Sequence, residues 1–229
     1  MGELKKRYYR FVYKNANKGI PNLMQSIVLA MGTLFVADFL FAMMSRPGLM
    51  NLFIFDRDRI FAGEVWRILS FIILPPNYSL LFIIFALYLY WLMGKFLESF
   101  WGILKFNLFY FSGVLFTIVG GMILGATTNI YLNMSIFFAF ALINPNFELR
   151  LFFFIPVKIK YLAMLNAGFY VLMIILSPWA EKVAIIVSLL NVLLFFGGSM
   201  YKGTKAYIQR KANHIKWKNK FRDLDRYRK

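Results

Sequence analysis

Residues 79–96 read SLLFIIFALYLYWLMGKF and residues 106–124 read FNLFYFSGVLFTIVGGMIL, and Lys95 is the only charged residue in the two runs. An α-helix needs about 20 mainly apolar residues to cross the hydrocarbon layer of a bilayer. Backbone polar groups in lipid are satisfied only in helices or closed barrels. Neither run shows the apolar and polar alternation of a barrel strand. Both stretches therefore predict transmembrane helices.

The same criterion, applied outward along the chain, predicts six spans. They lie at about 23–44, 79–96, 106–124, 130–143, 160–176 and 183–201. A basic segment at 1–21 precedes the membrane domain at 22–201, and a basic tail follows at 202–229. We expect an all-α membrane protein, a six-helix bundle with a large first loop and a short central fourth span.

The composition agrees with a membrane protein and excludes several functions. Hydrophobic residues make up 60% of the 229 residues and charged residues 16%, whereas a soluble domain is about half apolar and a quarter charged. The net charge of +17 is concentrated at the two ends, which favours anionic lipid head groups over nucleic acid as a partner. There is no cysteine, and the single histidine, His214, lies in the tail. We expect neither a metal site nor a cofactor.

The positions of Lys and Arg predict the orientation, because cytoplasmic loops are enriched in these residues. With the N-terminus inside, the six spans place 22 of the 27 Lys and Arg residues on the cytoplasmic side. We therefore expect an integral, multi-pass protein with both termini in the cytoplasm. The compact form of the chain favours a bacterial plasma membrane over an organelle. The basic tail, which carries aromatic residues, is typical of a segment that binds an anionic membrane surface. Docking of a cytoplasmic partner is the alternative.

Two short motifs resemble those of the rhomboid superfamily of intramembrane proteins, which includes the Derlins. Trp66-Arg67 is similar to the Trp-Arg motif of the large first loop. Gly94 and Glu98 are similar to the Gly-x-x-x-Glu that closes the second span. Each of these residues also has an ordinary role. Trp66 suits the membrane interface, Arg67 can reach head groups or a loop carbonyl, and Glu98 suits a structural cap or an ion pair with Lys95 or Lys105.

Two further stretches extend the resemblance, which covers the chain from about residue 64 to residue 201. Residues 139–163 read AFALINPNFELRLFFFIPVKIKYLA and resemble the end of the fourth span, a turn at Pro145-Asn146 and the start of the fifth. Gly197-Gly198 is similar to the small residues of the last span. We expect these glycines, like those of Gly121-x-x-x-Gly125, to let helices approach closely.

The resemblance also shows which catalytic groups are missing. An active rhomboid protease has a serine at the top of the fourth span, a histidine in the sixth, and oxyanion donors in the second. Aligned on the motifs above, the serine position falls on or near Ile130, and the second-span positions fall on Phe82 and Ala86. No histidine lies in any span. Lys182 and Ser188 are six residues apart, so they do not share a helical face.

Asp38 is the only acid well inside a predicted span and is therefore a candidate functional group. Candidate partners of its carboxylate are Arg67 and Asn191, and a satisfied hydrogen bond near the head groups is the structural alternative. The last three spans also predict a polar seam, either for contacts between helices or for handling a client. Its residues are Asn133, Asn166, Ser188 and Asn191.

These observations imply an inactive rhomboid-like protein, a pseudoprotease. By resemblance it binds transmembrane client segments beside the second and fifth spans, and its short fourth span suggests that it perturbs the lipid locally. Three alternatives stay open. They are an active intramembrane protease with a non-standard site, a small transporter, and a purely structural membrane protein. Ser135 is the serine inside the fourth span, but no basic residue is apparent beside it in the sequence.

Overall fold

The computed structural model of this protein describes residues 14–15, 18–76, 79–151, 155–179, 182, 185–186 and 189–197. The chain forms two compact units, Met1–Asn191 and Val192–Lys229. The helices of the first unit whose bounds are described are α1 (Leu23–Met43), α2 (Arg57–Phe61), α3 (Arg67–Ser70), α4 (Leu80–Trp101), α5 (Ile103–Leu124), α6 (Ile130–Ile143) and α7 (Ile159–Leu176). Two 3-10 helices, at Met50–Leu52 and Phe71–Ile73, lie in the first loop.

Four of the described helices, α1, α4, α5 and α7, are long and apolar enough to cross a membrane. Their mean hydropathies are 1.8 to 2.0. Each coincides with a span predicted from the sequence, and α6 matches the predicted fourth span as a shorter apolar helix. Only part of the predicted sixth span lies within the described residues, and there residues 189–197 are helical.

Two glycines with positive φ lie at the two ends of α5. Gly102 has a φ of 82° and separates α4 from α5, while Gly125 has a φ of 95° and ends α5. Glycine adopts positive φ without the steric cost that a Cβ brings. The second span was predicted to end at Phe96, but α4 continues to Trp101 because no residue before Gly102 interrupts the helix.

The short helix α6 lies among the other helices of the first unit, packed against α4, α5 and α7. Eight of its 14 residues are buried. Fourteen residues make a helix of about 21 Å, which is less than the roughly 30 Å of the hydrocarbon layer. The burial of α6 compensates for its length, because its neighbours cover most of its surface.

Within the described ranges, four short strands form two antiparallel pairs that were not predicted from the sequence. Strand β1 (Phe55–Asp56) pairs with β2 (Ala126–Thr127), and β3 (Glu148–Leu151) pairs with β4 (Ile155–Lys158). The second pair replaces the simple turn expected between α6 and α7. The apolar run after Pro145 is too short for another helix, and its two arms satisfy their backbone groups by pairing with each other.

Candidate functional site

A groove of about 750 Å³ runs along α4. It is lined by Leu81, Phe82, Ile84, Phe85, Tyr88, Leu92, Phe147, Glu148, Leu149 and Arg150. The α4 residues span about 16 Å of helix, and the segment from Phe147 to Arg150 forms the facing wall. We call it the α4 groove. It is lined mainly by apolar side chains, and such a surface on a membrane-spanning helix suits a lipid chain or another helix.

A second cavity of about 280 Å³ adjoins the α4 groove, and we call it the inner cavity. It is lined by Pro76, Phe82, Phe85, Ala86, Leu89, Tyr90, Met93, Asn133, Met134 and Phe137. Phe82 and Phe85 border both cavities. The inner cavity lies between α4 and α6, and the polar side chains in its wall are those of Tyr90 and Asn133.

The positions aligned with missing catalytic groups are divided between two places. Phe82 and Ala86 both line the inner cavity. Ile130 begins α6 and is 54% exposed, and it is not part of the cavity wall. Phe82 and Ala86 present hydrocarbon to the cavity, so their side chains offer no hydrogen bond to an oxyanion.

The polar residue that the structure places in the inner cavity is Asn133, which is 2% exposed. The Tyr90 hydroxyl, which also lines the inner cavity, lies within hydrogen-bond range of this amide and is its polar partner. A buried amide is costly to leave without a partner, so this contact is expected to stabilise the packing of α4 against α6.

A second polar cluster joins α5 and α6 through Asn191. The Asn191 side-chain oxygen accepts from the Ser112 hydroxyl at 2.8 Å, and its nitrogen donates to the Phe109 carbonyl at 3.1 Å. The same nitrogen lies 3.5 Å from the Ser135 hydroxyl, which donates to the Leu132 carbonyl at 2.7 Å. This is a bridge between helices, and neither the Leu132 carbonyl nor the Asn191 amide is a base for the Ser135 hydroxyl.

The predicted polar seam is therefore only partly correct. Asn191 does bond across helices, but its partner Ser112 was not predicted, because a serine inside an apolar run carries no distinctive signal. Asn166 makes no hydrogen bond with another described residue and does not join the cluster. Asn133 is separate, and Ser188 lies outside the described residues.

Arg67 holds the first loop together from inside. Its side chain is 1% exposed, and Nη1 donates to the carbonyls of Asn51 and Ile54 at 2.7 and 2.9 Å. Its Nε donates to the Glu64 carboxylate at 2.5 Å. The role agrees with the loop-carbonyl contact expected from the sequence, while contact with head groups is excluded by burial. Trp66 is 53% exposed and donates from Nε1 to the Leu52 carbonyl at 3.1 Å.

Asp38 also binds the first loop, and its predicted partners were wrong. Its Oδ1 accepts from the backbone N–H of Leu49 at 2.5 Å and of Met50 at 3.2 Å. Arg67 and Asn191 are engaged elsewhere. The carboxylate therefore orders the turn after α1 and satisfies the free N–H groups at the start of the first 3-10 helix, which corresponds to the structural alternative.

Glu98 caps the start of α1 from the end of α4. Its Oε1 accepts from the Asn22 backbone N–H at 2.8 Å, as expected of a structural cap. The ion pairs considered with Lys95 and Lys105 are not found among the described residues. Instead the Lys95 ammonium lies 5.0 Å from the Trp91 ring, and that of Lys105 lies 4.9 Å from the Trp101 ring.

The Pro145-Asn146 turn follows the end of α6 and fixes the start of α7. The Pro145 carbonyl accepts from the Lys160 N–H at 3.3 Å, and the Phe147 carbonyl accepts from the Ile159 N–H at 2.8 Å. Asn146 is exposed. The turn places Phe147 in the wall of the α4 groove, where its ring packs at 5.2 Å against that of Phe140.

The predicted glycine contacts occur at different places from those expected. A Cβ at Gly94 would overlap the Met24 side chain, so this glycine does allow α1 and α4 to meet. A Cβ at Gly121 would lie 2.6 Å from the Phe55 ring, so Gly121 accommodates the first loop and not a neighbouring helix. A Cβ at Gly197 would meet no described atom within 4 Å, and Gly198 lies outside the described residues.

Asn129 is a structural residue that the sequence analysis did not identify. It is 2% exposed, and its side-chain nitrogen donates to the carbonyls of Ile72 and Leu74 at 3.0 and 2.8 Å. It ties the end of the first loop to the start of α6. Its position before an apolar helix indicated only a boundary, and its distant partners could not be read from the sequence.

These features are those of a multi-pass α-helical membrane protein with a mainly apolar cavity beside a lateral groove. Within the described residues, no three His, Cys, Asp or Glu side chains gather as metal ligands do. Comparison with known protein families and with curated proteins finds no match to this chain.

Proposed function

We propose that this protein is a catalytically inactive, rhomboid-like membrane protein that binds transmembrane segments of client proteins in the α4 groove. The observation that carries the proposal is the groove itself, an apolar trough of about 750 Å³ on a helix able to span the membrane. Helices associate in lipid through van der Waals packing and interhelical hydrogen bonds. A trough with aromatic walls offers the packing, and the inner cavity offers the hydrogen bonds.

The surroundings of Ser135 support binding over proteolysis. Acyl transfer by a serine requires a base within hydrogen-bond reach of the hydroxyl. The Ser135 hydroxyl contacts a carbonyl and the Asn191 amide, and neither accepts a proton at neutral pH. Phe82 and Ala86 bring hydrocarbon to the inner cavity, where a protease of this family would present oxyanion donors.

The proposal includes the finer architecture. It has six spans, the last within 183–201, a rhomboid-like arrangement around α6, and both termini in the cytoplasm, in a bacterial plasma membrane. The buried Arg67 in a long first loop and the short α6 among three helices support this arrangement. Local thinning of lipid has weaker support, because the neighbours of α6 shield it from the bilayer.

Photo-crosslinking in native membranes tests the proposal. Benzoylphenylalanine placed at Tyr88 in the α4 groove should capture membrane proteins that have a transmembrane helix. The matched control is the same amino acid at Leu115, which is apolar, 58% exposed and on α5. Equal capture at both positions would indicate chance contact in the bilayer and contradict the proposal. Labelling of the protein by a serine-directed probe would contradict the inactive assignment separately.

A further inference from the structure

The hairpin of β3 and β4 has an outer edge on each strand, because among the described strands these two pair only with each other. In an antiparallel pair, residues that exchange hydrogen bonds alternate with residues whose backbone groups point outward. The Ile159 N–H donates to the Phe147 carbonyl at 2.8 Å, and these two residues continue the register of the hairpin. Counted from this bonded pair, the N–H and C=O groups of Glu148 and Arg150 point away from β4.

The two outer edges differ in their capacity to accept another strand. Pro156 of β4 is opposite Arg150 in the register, so it occupies an outward-pointing position and has no N–H to donate. Proline at such a position prevents further pairing. On β3, the N–H groups of Glu148 and Arg150 donate no hydrogen bond to any described residue. The hairpin therefore has one open edge, defined by Glu148 and Arg150, which we call the β3 edge.

The β3 edge borders the α4 groove. The hairpin contributes residues 147–150 to the wall of the groove, none of the described β4 residues takes part, and the opposite wall is α4. A sheet edge beside a mainly apolar trough has little access to water, and unpaired backbone groups there are costly. Neighbouring strands lie about 4.8 Å apart, so a strand that enters the groove beside β3 would satisfy these groups.

We infer that an extended segment of the client, next to its transmembrane helix, binds to the β3 edge as a third strand. The inference rests on the proposed function and adds a second contact to it. The client helix packs along α4, and its flank pairs with β3 where the groove reaches the hairpin. The side chains of Glu148 and Arg150 are exposed, as expected at the membrane boundary where a client helix ends. Pairing through main-chain groups provides affinity with little demand on the sequence of the flank.

The form of the groove favours a single strand over a second copy of this chain. An incoming strand lies between β3 and α4, which are the two walls. A second copy would bring its own hairpin into this space together with α6 and α7, which directly precede and follow the hairpin in the chain. An isolated extended segment has no such attachments.

The inference predicts an alternating dependence on the N–H groups of the client flank. An ester in place of a peptide bond removes one N–H donor without added bulk. Alternate N–H groups of a strand point to the same side, so esters should weaken binding at every second position and not at the positions between. One backbone hydrogen bond changes association by about twofold to tenfold. A general effect of polarity would not alternate.

The experiment uses the full chain in nanodiscs with benzoylphenylalanine at Tyr88. Single-span peptides of leucine and alanine, with a short flank of threonine and valine at either end, compete for crosslinking while one ester is moved through the flank. Arg150→Pro removes an N–H of the β3 edge and keeps the hydrogen bonds of the hairpin, because this N–H points outward. Arg150→Gln is the matched control, which loses the same charge and keeps the N–H. Thermal unfolding verifies the fold of both variants, and the ester scan needs neither.

Alternating loss of capture across the flank, absent in Arg150→Pro and retained in Arg150→Gln, supports the inference. Alternation that persists in Arg150→Pro places the strand elsewhere and overturns it. Equal capture of all ester peptides also overturns it, and the proposed function survives because the helix is still captured.

Two further outcomes assign the β3 edge to something else. Equal weakening in both Arg150 variants without an ester effect assigns the contact to the charge and overturns the inference. A dimer in native mass spectrometry that Arg150→Pro dissociates, again without an ester effect, assigns the edge to a second copy and overturns it as well. Failure to capture any peptide overturns both proposals.

Discussion

At the scale of single residues, the buried polar groups of this protein divide into two kinds. Asp38, Arg67 and Asn129 bond to backbone groups of the first loop, and Glu98 bonds to the start of α1. These residues satisfy backbone groups that would otherwise lack a partner. Asn133 is of the other kind, because its amide interacts with the side chain of Tyr90 at the wall of the inner cavity. That contrast distinguishes residues that hold backbone segments in place from one that pairs with a side chain of a neighbouring helix.

Replacement of Arg67 by alanine should lower the free energy of unfolding by about 3 kcal/mol. It would leave the Glu64 carboxylate without its partner and the Asn51 and Ile54 carbonyls without their donor. Loss of one member of a buried ion pair costs about 3–5 kcal/mol, and the partial exposure of Glu64 reduces this. Unfolding in mixed micelles, followed by circular dichroism, measures the effect.

The matched control for this change is Arg59→Ala. Arg59 makes an ion pair with Asp56 at 3.6 Å, and its side chain is 54% exposed. Exposed pairs contribute less than about 1 kcal/mol. If the two alanine variants were equally stable, the interpretation of Arg67 as the internal support of the loop would be wrong.

At the scale of elements, the contact between α1 and α4 depends on the absence of a side chain at Gly94. Met24 of α1 is 1% exposed and occupies the space where a Cβ of residue 94 would lie. The overlap involves the Cβ and Cγ atoms of Met24, which cannot move away as a flexible chain end would. The helices would have to separate or rotate, and the Glu98 cap on Asn22 would be affected with them.

The variant Gly94→Ala should therefore destabilise the protein by about 1–3 kcal/mol, the usual cost of overpacking. Gly168→Ala in α7 is the control, because a Cβ there meets no atom of the described residues within 4 Å. Alanine is the better helix former by about 0.5–1 kcal/mol, so the control should be neutral or more stable. Thermal unfolding of both purified variants in one detergent gives the comparison, and a neutral Gly94→Ala would contradict this account of the α1–α4 contact.

At the scale of the whole molecule, the number of spans and their orientation are the properties that labelling experiments can test. Four helices are able to cross a membrane, α6 is shorter, and the predicted sixth span lies only partly in the described residues. The absence of cysteine from the sequence gives a direct approach, because any introduced cysteine is the only one in the chain.

Single cysteines and a membrane-impermeant maleimide should show the proposed topology in intact cells. Ala62→Cys, in the first loop, is expected to react from outside. Ser99→Cys, at the end of α4, and Lys216→Cys, in the tail, should react only after the membrane is permeabilised. Reaction of Ser99→Cys in intact cells would reverse the orientation. If Lys216→Cys reacted in intact cells while Ser99→Cys remained protected, an odd number of spans would follow α4.

The helical elements could be predicted from the sequence because their cause is local. The spans at 23–44, 106–124 and 160–176 coincide with α1, α5 and α7 to within a few residues. An apolar run in lipid has no option other than a helix for its backbone, so composition and length were sufficient. The strands of the β3–β4 hairpin were missed, because pairing depends on a partner segment and not on the run itself.

Only the tertiary structure decided which partner each buried polar residue finds. In the sequence, Asp38, Asn133 and Asn191 are alike, each a polar residue within an apolar helix. Folding brings two of them to distant partners, the Leu49 N–H for Asp38 and the Ser112 hydroxyl for Asn191, and leaves Asn133 facing a cavity. Hydrogen bonds are short and directional, so their partners depend on how the helices pack, which local sequence does not encode.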